Sequence, residues 1–248
     1  MLQTQMSRRK LGSSCAVVLF LFLSVARVAR TQQPVPSGPQ AAPTDDPKPV
    51  TTDTLKNDRI FGVIPNYRTV EDPTQRIAPL TTKQKFQLAV NDSFDPYAYP
   101  IAGAFAAVGQ AQNDPKSWGQ GWGAFAKRYA AAFADQTSEN MMVEAVVPSL
   151  LKQDPRYFRV EEGGFFKRTG YAVSRIWVTR TDAGHKTFNV SEIGGAGISS
   201  MLSNAYYPPE NRTVSKTLSR WGILVGEDTL FNVLKEFWPD MRQRILKR

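Results

Sequence analysis

Apolar positions along most of this chain recur every three to four residues, which is the spacing of one face of an α-helix. Capping residues and prolines mark the ends of these stretches. Thr81 with Gln84, and Ser117 with Gln120, have the spacing of capping boxes. The pattern predicts six helices, over residues 82–92, 95–112, 118–151, 165–179, 189–205 and 213–238.

The fourth of these segments fits two structures. Its apolar positions continue the helix that begins at Phe165, but Trp177, Val178 and Thr179 favour a strand. A turn sequence follows at Thr181–His185, so a β-hairpin over residues 175–190 is the alternative.

With the helix preferred, the sequence predicts an all-α fold. One compact domain of about six helices covers residues 59–248, and it begins with an extended arm at Arg59–Pro65. Small residues four positions apart lie on one helix face and favour close packing between helices. They are Ala98, Ala102 and Ala106, then Gly119 and Gly123, and then Ala126, Ala130 and Ala134.

The first 58 residues have a different composition. Arg8, Arg9 and Lys10 precede an apolar run from Cys15 to Val25, and small residues continue to Ala26. This order is typical of a secretory signal peptide at residues 1–26, with an uncleaved membrane anchor as the alternative. Residues 27–58 are rich in proline and polar residues, which predicts a disordered linker. The expected location is the periplasm or cell envelope.

The net charge limits the possible partners, and the cysteine content limits the possible disulfides. The net charge is +9, and a basic C-terminal tail holds Arg242, Arg244, Lys247 and Arg248. Such a chain is attracted to anionic lipid surfaces. Basic residues are otherwise scattered among acidic ones without a recognition motif, which excludes nucleic acid as a partner. The only cysteine lies in the predicted signal peptide, so disulfides are excluded, and the oligomeric state stays open.

Three carboxylates on neighbouring helical turns are the main candidate for chemistry. Asp135, Glu139 and Glu144 lie in the third predicted helix, and two carboxylates about 5 Å apart can hydrolyse glycosidic bonds. The simpler interpretation is that Asp135 and Glu139 form ion pairs with Lys127 and Arg128.

Other candidate groups are weaker. His185 with Asp182 has the composition of an oriented base, and Arg175, Arg180 and Lys186 near one turn suit an anion. One histidine and one cysteine do not make a usual zinc site. The sequence therefore predicts no catalytic, cofactor-binding or metal-binding residue.

Three short phrases resemble those of an uncharacterised family of exported bacterial envelope proteins. They are Gln153–Phe158, Arg180–Gly184 and Lys235–Asp240, and the resemblance extends from about Arg59 to the C-terminus. It implies a bacterial source but no established activity. The expected function is non-catalytic: helix-mediated binding to an envelope protein or a membrane surface. The alternative is a glycosidase-like envelope hydrolase.

Overall fold

A computed structural model describes residues 59–62, 64–70, 77–160 and 162–246 of the 248-residue chain. The predicted signal peptide (1–26) and linker (27–58) lie outside the described residues. The described part is mostly helical and compact, which confirms the predicted fold class. None of its helices combines the length and the apolarity needed to cross a bilayer.

Most of the described part consists of helices. The helices are α1 (Thr82–Ser93), α2 (Ala98–Gln112), α3 (Trp122–Asn140), α4 (Val147–Leu151), α5 (Phe165–Ser174), α6 (Val190–Leu202) and α7 (Val214–Leu246). A π-helical segment, Met141–Val146, joins α3 to α4, so residues 122–151 form one continuous rod.

Within the residues that the structure describes, five short strands form two small sheets. The strands are β1 (Thr69–Val70), β2 (Gln153–Asp154), β3 (Tyr157–Phe158), β4 (Val178–Thr181) and β5 (Lys186–Phe188). β1 pairs with β3 in parallel, and β2, β4 and β5 form an antiparallel sheet in that order.

Small residues allow the helices to approach closely, as predicted for the alanines of the second predicted helix. Ala98, Ala102 and Ala106 are buried where α2 packs on α3. Gly195 of α6 lies against the π-helical segment, where an added Cβ would come within 3.1 Å of the Val143 Cα. α6 also packs on α7, and α5 packs on α7.

The start of α3 differs from the prediction. Lys116–Trp118 is a 3₁₀ turn, and Gly119 and Gly121 then take positive φ angles of 71° and 92° that a continuing helix does not allow. The predicted Ser117–Gln120 capping box is wrong, because the Ser117 N–H donates to Glu210. The predicted packing stripe on α3 is also wrong. Ala126 and Ala130 are exposed, while Ala124 and Ala131 are buried. By contrast, the Thr81–Gln84 capping box is present.

The β-hairpin alternative is correct for residues 178–188, and the predicted helix is correct only to Ser174. The reason is a partner distant in sequence. Thr181 pairs with Gln153 in β2, and the Gln153 side chain donates to the Phe188 carbonyl at 2.7 Å. Backbone hydrogen bonds to β2 therefore outweigh the helical spacing of the apolar residues in this segment.

The last helix passes through Pro239 to Leu246, although the sequence predicts an end at Trp238. Proline inside a helix removes a backbone hydrogen bond. Arg168 of α5 supports this region from the side. It donates to the Glu236 carboxylate at 2.9 Å and to the Glu236 carbonyl at 2.5 Å, and it pairs with Asp240 beyond the proline.

The predicted extended arm stays a prediction. The structure describes residues 59–62 and 64–65 of it, where Ile60 and Ile64 form an isolated antiparallel bridge and Ile60 is buried.

Candidate functional site

A groove runs between α2, α3 and α7 and encloses a cavity of about 270 Å³. This volume is near the lower end of the range of roughly 300–1,000 Å³ that is typical of ligand pockets. The α3 residues along it extend from Arg128 to Asn140, about 18 Å at roughly 1.5 Å per residue.

The walls of the groove differ in chemistry. Ile101 and Phe105 of α2, with Ile223, Leu224 and Phe231 of α7, supply apolar surface. The carboxyl groups come from α3 and α7, from Asp92 of α1 and from Asp114 in the loop before α3. Asp135 and Glu139 lie on α3, and Glu227 and Asp228 lie on α7.

The predicted ion pairs of Asp135 and Glu139 with Lys127 and Arg128 are wrong. Arg128 instead holds the loop before α3, where it donates to the carbonyls of Asp114, Pro115 and Gly119 at 2.9–3.0 Å. Lys127 is exposed. In the described part of the chain, neither carboxyl group is within 4 Å of a basic side chain.

Asp135 is held by hydroxyl groups. It accepts hydrogen bonds from Ser203 and Tyr206 at 2.5 Å and from Tyr207 at 2.8 Å. Both oxygens of the Asp135 side chain therefore have hydrogen-bond donors.

Glu139 has a different environment one helical turn away. The residue is 9% exposed, and its Oε1 has no hydrogen-bond partner. Burial raises the pKa of Glu139 well above its ordinary value, and the charges of Asp228 and Glu192 add to the rise. Glu227 faces the same groove, and burial raises its pKa to about 8. Both groups therefore hold protons more readily than free glutamate does.

A cluster of buried charges closes one end of the groove. Arg68 lies 2.9 Å from Glu144, 3.3 Å from Asp92 and 3.9 Å from Asp228. Burial lowers the pKa of the neighbouring Lys235 to about 8. Glu144 therefore forms an ion pair at the end of the groove and does not line it beside Asp135 and Glu139.

Carboxyl pairs complete this cluster. Burial raises the pKa of Glu144 well above its usual range, and its interaction with Asp92 raises it further. Burial and the neighbouring Asp228 raise the pKa of Glu192 of α6 in the same way. Each pair therefore combines a glutamate whose pKa is raised with an aspartate, and Arg68 and Lys235 supply the positive charge nearby.

The sequence did not identify this cluster as a site. Arg68 precedes β1, and Asp92, Glu227, Asp228 and Lys235 are single charged residues within helices, so no local motif connects them. One usable signal exists: Asp228 and Lys235 are seven residues apart, so they lie on the same face of α7. Among the described residues, no group of three or more histidine, cysteine or acidic side chains is arranged to hold a metal ion.

The other predicted candidates are separated by the fold. Asp182 does not orient His185, because Lys85 binds both Asp182 carboxylate oxygens at 2.8 Å. His185 is exposed at the turn of the hairpin. Arg175 and Arg180 line one small cavity of about 50 Å³, but Lys186 does not. Each arginine lies over an aromatic ring, at 4.4 Å from the Tyr171 centroid and 4.2 Å from the Phe158 centroid.

A second surface feature lies where α5 packs on the C-terminal part of α7. Phe165 and Phe166 are 62% and 77% exposed, and Phe165 lies 5.1 Å from the ring of Phe237. Lys167 is exposed beside them. Arg244, which is also exposed, follows Phe237 by two turns on the same face of α7. We call these five residues the aromatic–basic edge.

No protein-family model, curated protein or solved structure matches this chain. The chemistry of its own side chains is therefore what points to a function.

Proposed function

We propose that this protein binds the surface of an anionic membrane of the cell envelope through the aromatic–basic edge, without catalysing a reaction. The observation that carries the proposal is the exposure of Phe165 and Phe166 next to Lys167. Phe165 packs on Phe237, and the exposed Arg244 lies two turns further along α7. Aromatic rings that enter the headgroup region and cations that meet lipid phosphates are the usual components of peripheral membrane binding.

The energetics favour lipid over water as the environment of this edge. Burying a phenylalanine side chain contributes about 1.5–3 kcal/mol, and a basic residue near an anionic surface about 1 kcal/mol. The positive net charge acts in the same direction at longer range. It is +9 for the full chain, and subtracting the three charges of Arg8, Arg9 and Lys10 in the predicted signal peptide leaves +6.

Vesicle flotation tests the proposal. Wild-type protein is expected to float with vesicles of phosphatidylglycerol and to remain behind with vesicles of phosphatidylcholine. Phe165→Ser with Phe166→Ser is expected to weaken binding at least tenfold. Lys167→Glu with Arg244→Glu is expected to do the same and to reduce the salt dependence.

Leu150→Ser is the matched control, because Leu150 is 76% exposed on α4 and lies outside the edge. This variant is expected to bind like the wild type. Equal binding to both lipids, or loss of binding in the control alone, would argue against the proposal.

Hydrolysis by paired carboxyl groups is the second candidate, and the environments of Asp135 and Glu139 favour it. Both line one groove, where Asp135 is an acceptor for three hydroxyl groups and the pKa of the buried Glu139 is raised. Two carboxyl groups in one groove, one of them buried with a raised pKa, resemble the arrangement of an acid–base pair. Release of reducing ends from cell-wall glycan, abolished by Glu139→Gln and by Asp135→Asn, is the test of this candidate.

A further inference from the structure

The middle of the groove holds more carboxyl groups than the protein supplies partners for. Arg68 and Lys235 lie among the carboxyl pairs at one end, and Arg128 is bound to backbone carbonyls at the other. In the described part of the chain, Glu139 and Glu227 have no ion pair between these ends.

The environment of Glu139 is more direct evidence for a ligand than the number of unpaired carboxyl groups is. It is nine-tenths buried, it lines the groove, and its Oε1 has no hydrogen-bond partner. A buried polar atom without a hydrogen-bond partner is destabilising, and a bound ligand that donates to it is one explanation for its presence.

The residues that line the groove indicate which kind of cation it would bind. The described residues offer no cluster of ligands for a metal ion, whereas apolar side chains line the same groove as the carboxyl groups. Ile101 and Phe105 of α2 and Phe231 of α7 form this apolar surface. An alkyl or aromatic stem packs there, and an ammonium group with three donors suits two carboxyl groups.

We propose that the groove between α2, α3 and α7 binds a small organic cation, a primary ammonium group on an apolar stem. The ammonium group donates to Glu139 and Glu227, and the stem contacts Ile101, Phe105 and Phe231. This site is separate from the aromatic–basic edge and does not depend on membrane binding.

Isothermal titration calorimetry with hexylammonium as the probe tests the proposal on the full chain. Burial raises the pKa of Glu227 to about 8, so the titration is run at pH 8.5. At that pH an alkylammonium, like a lysine side chain, keeps its charge. Wild-type protein is expected to bind hexylammonium, and hexanol, which has the same stem without the charge, is expected not to bind.

Neutral isosteres locate the site. Glu139→Gln and Glu227→Gln are each expected to weaken hexylammonium binding at least tenfold. Glu192→Gln is the matched control: Glu192 is buried with an unpartnered oxygen but does not line this groove, so binding is expected to persist. Ile101→Lys leaves both carboxyl groups in place and is expected to abolish binding, because its own ammonium group enters the groove. Circular dichroism confirms that each variant is folded.

Three results would overturn the proposal. They are no binding of hexylammonium by the wild type, equal binding of hexanol, and binding that neither Glu139→Gln nor Glu227→Gln weakens. Magnesium and calcium are titrated in parallel. Binding of either ion with loss in the same two variants, and no binding of hexylammonium, would also overturn it in favour of a metal site.

Discussion

Buried glutamates set how this protein responds to pH. Glu227 has its pKa raised to about 8 by burial, with the charges of Asp228 and Asp135 adding to the rise. In the unfolded chain its pKa is near 4.5. Between these values the folded protein holds a proton that the unfolded chain has released, so the stability that this group contributes is complete below about pH 4.5 and is lost as pH rises to about 8.

The protein is therefore expected to be more stable at pH 5 than at pH 8. The free energy of unfolding falls by up to about 1.4 kcal/mol per pH unit for each retained proton, and Glu227→Gln makes this fall shallower because glutamine does not titrate. Lys235 does not change this expectation. Its pKa in the folded protein is about 8, so it begins to lose its proton only at the upper end of the range from pH 5 to pH 8. Urea denaturation between pH 5 and pH 8 measures the slope.

The matched control for that slope is Glu162→Gln, at an exposed position. A free energy of unfolding that rises steadily from pH 5 to pH 8, in the wild type and in both variants, would contradict the raised pKa of Glu227.

At the residue scale, only part of the site could be predicted from the sequence. Asp135 and Glu139 stood out because they lie four residues apart on one helix. Their partners did not, since the hydroxyl groups of Ser203 and Tyr207 come from a segment nearly seventy residues away. The burial of Arg68 against Glu144 likewise depends on how the segment before α1 crosses the π-helical segment, which no local pattern encodes.

At the scale of elements, the close contact between α6 and the π-helical segment allows helix packing to be tested. An alanine Cβ at position 195 would lie 3.1 Å from the Met142 carbonyl carbon and from the Val143 Cα, so backbone must shift. Gly195→Ala is expected to lower the free energy of unfolding by about 1–3 kcal/mol.

Gly222→Ala is the matched control on α7. Its Cβ would have no atom within 4 Å, so the substitution is expected to raise stability by about 0.5–1 kcal/mol through the helix preference of alanine alone. Chemical denaturation of both variants separates packing from propensity. Equal stabilisation by the two alanines would show that α6 does not approach the π-helical segment so closely.

The helices themselves were largely predictable, because capping residues and apolar spacing act within a few residues. Thr81 caps α1 and Thr213 caps α7, as their sequences indicate. The errors occur where a distant partner decides. β2 draws residues 178–181 into a strand, and Arg168 supports α7 on both sides of Pro239. Local signals therefore located the helices and misplaced some of their ends.

At the scale of the whole molecule, the described part combines a charged interior with an apolar exterior. Buried positions include Lys85, Glu144, Arg156, Arg168 and Glu236, while much of the buried apolar surface is alanine. Large apolar side chains instead lie outside, among them Trp122 at 88% exposed. Exposed apolar surface of this extent is typical of proteins that contact a membrane or a partner. The aromatic–basic edge adds the cations that favour an anionic membrane.

Depth measurement by spin labelling tests membrane binding through this edge most directly. A label at Phe166→Cys and a control label at Leu150→Cys are introduced into a Cys15→Ser chain, since Cys15 is the only cysteine. With phosphatidylglycerol vesicles, the label at position 166 is expected to become accessible to oxygen and protected from a water-soluble relaxant, while the label at position 150 remains in water. Two labels that both remain in water, or a label at 150 that lies deeper than the one at 166, would contradict the account.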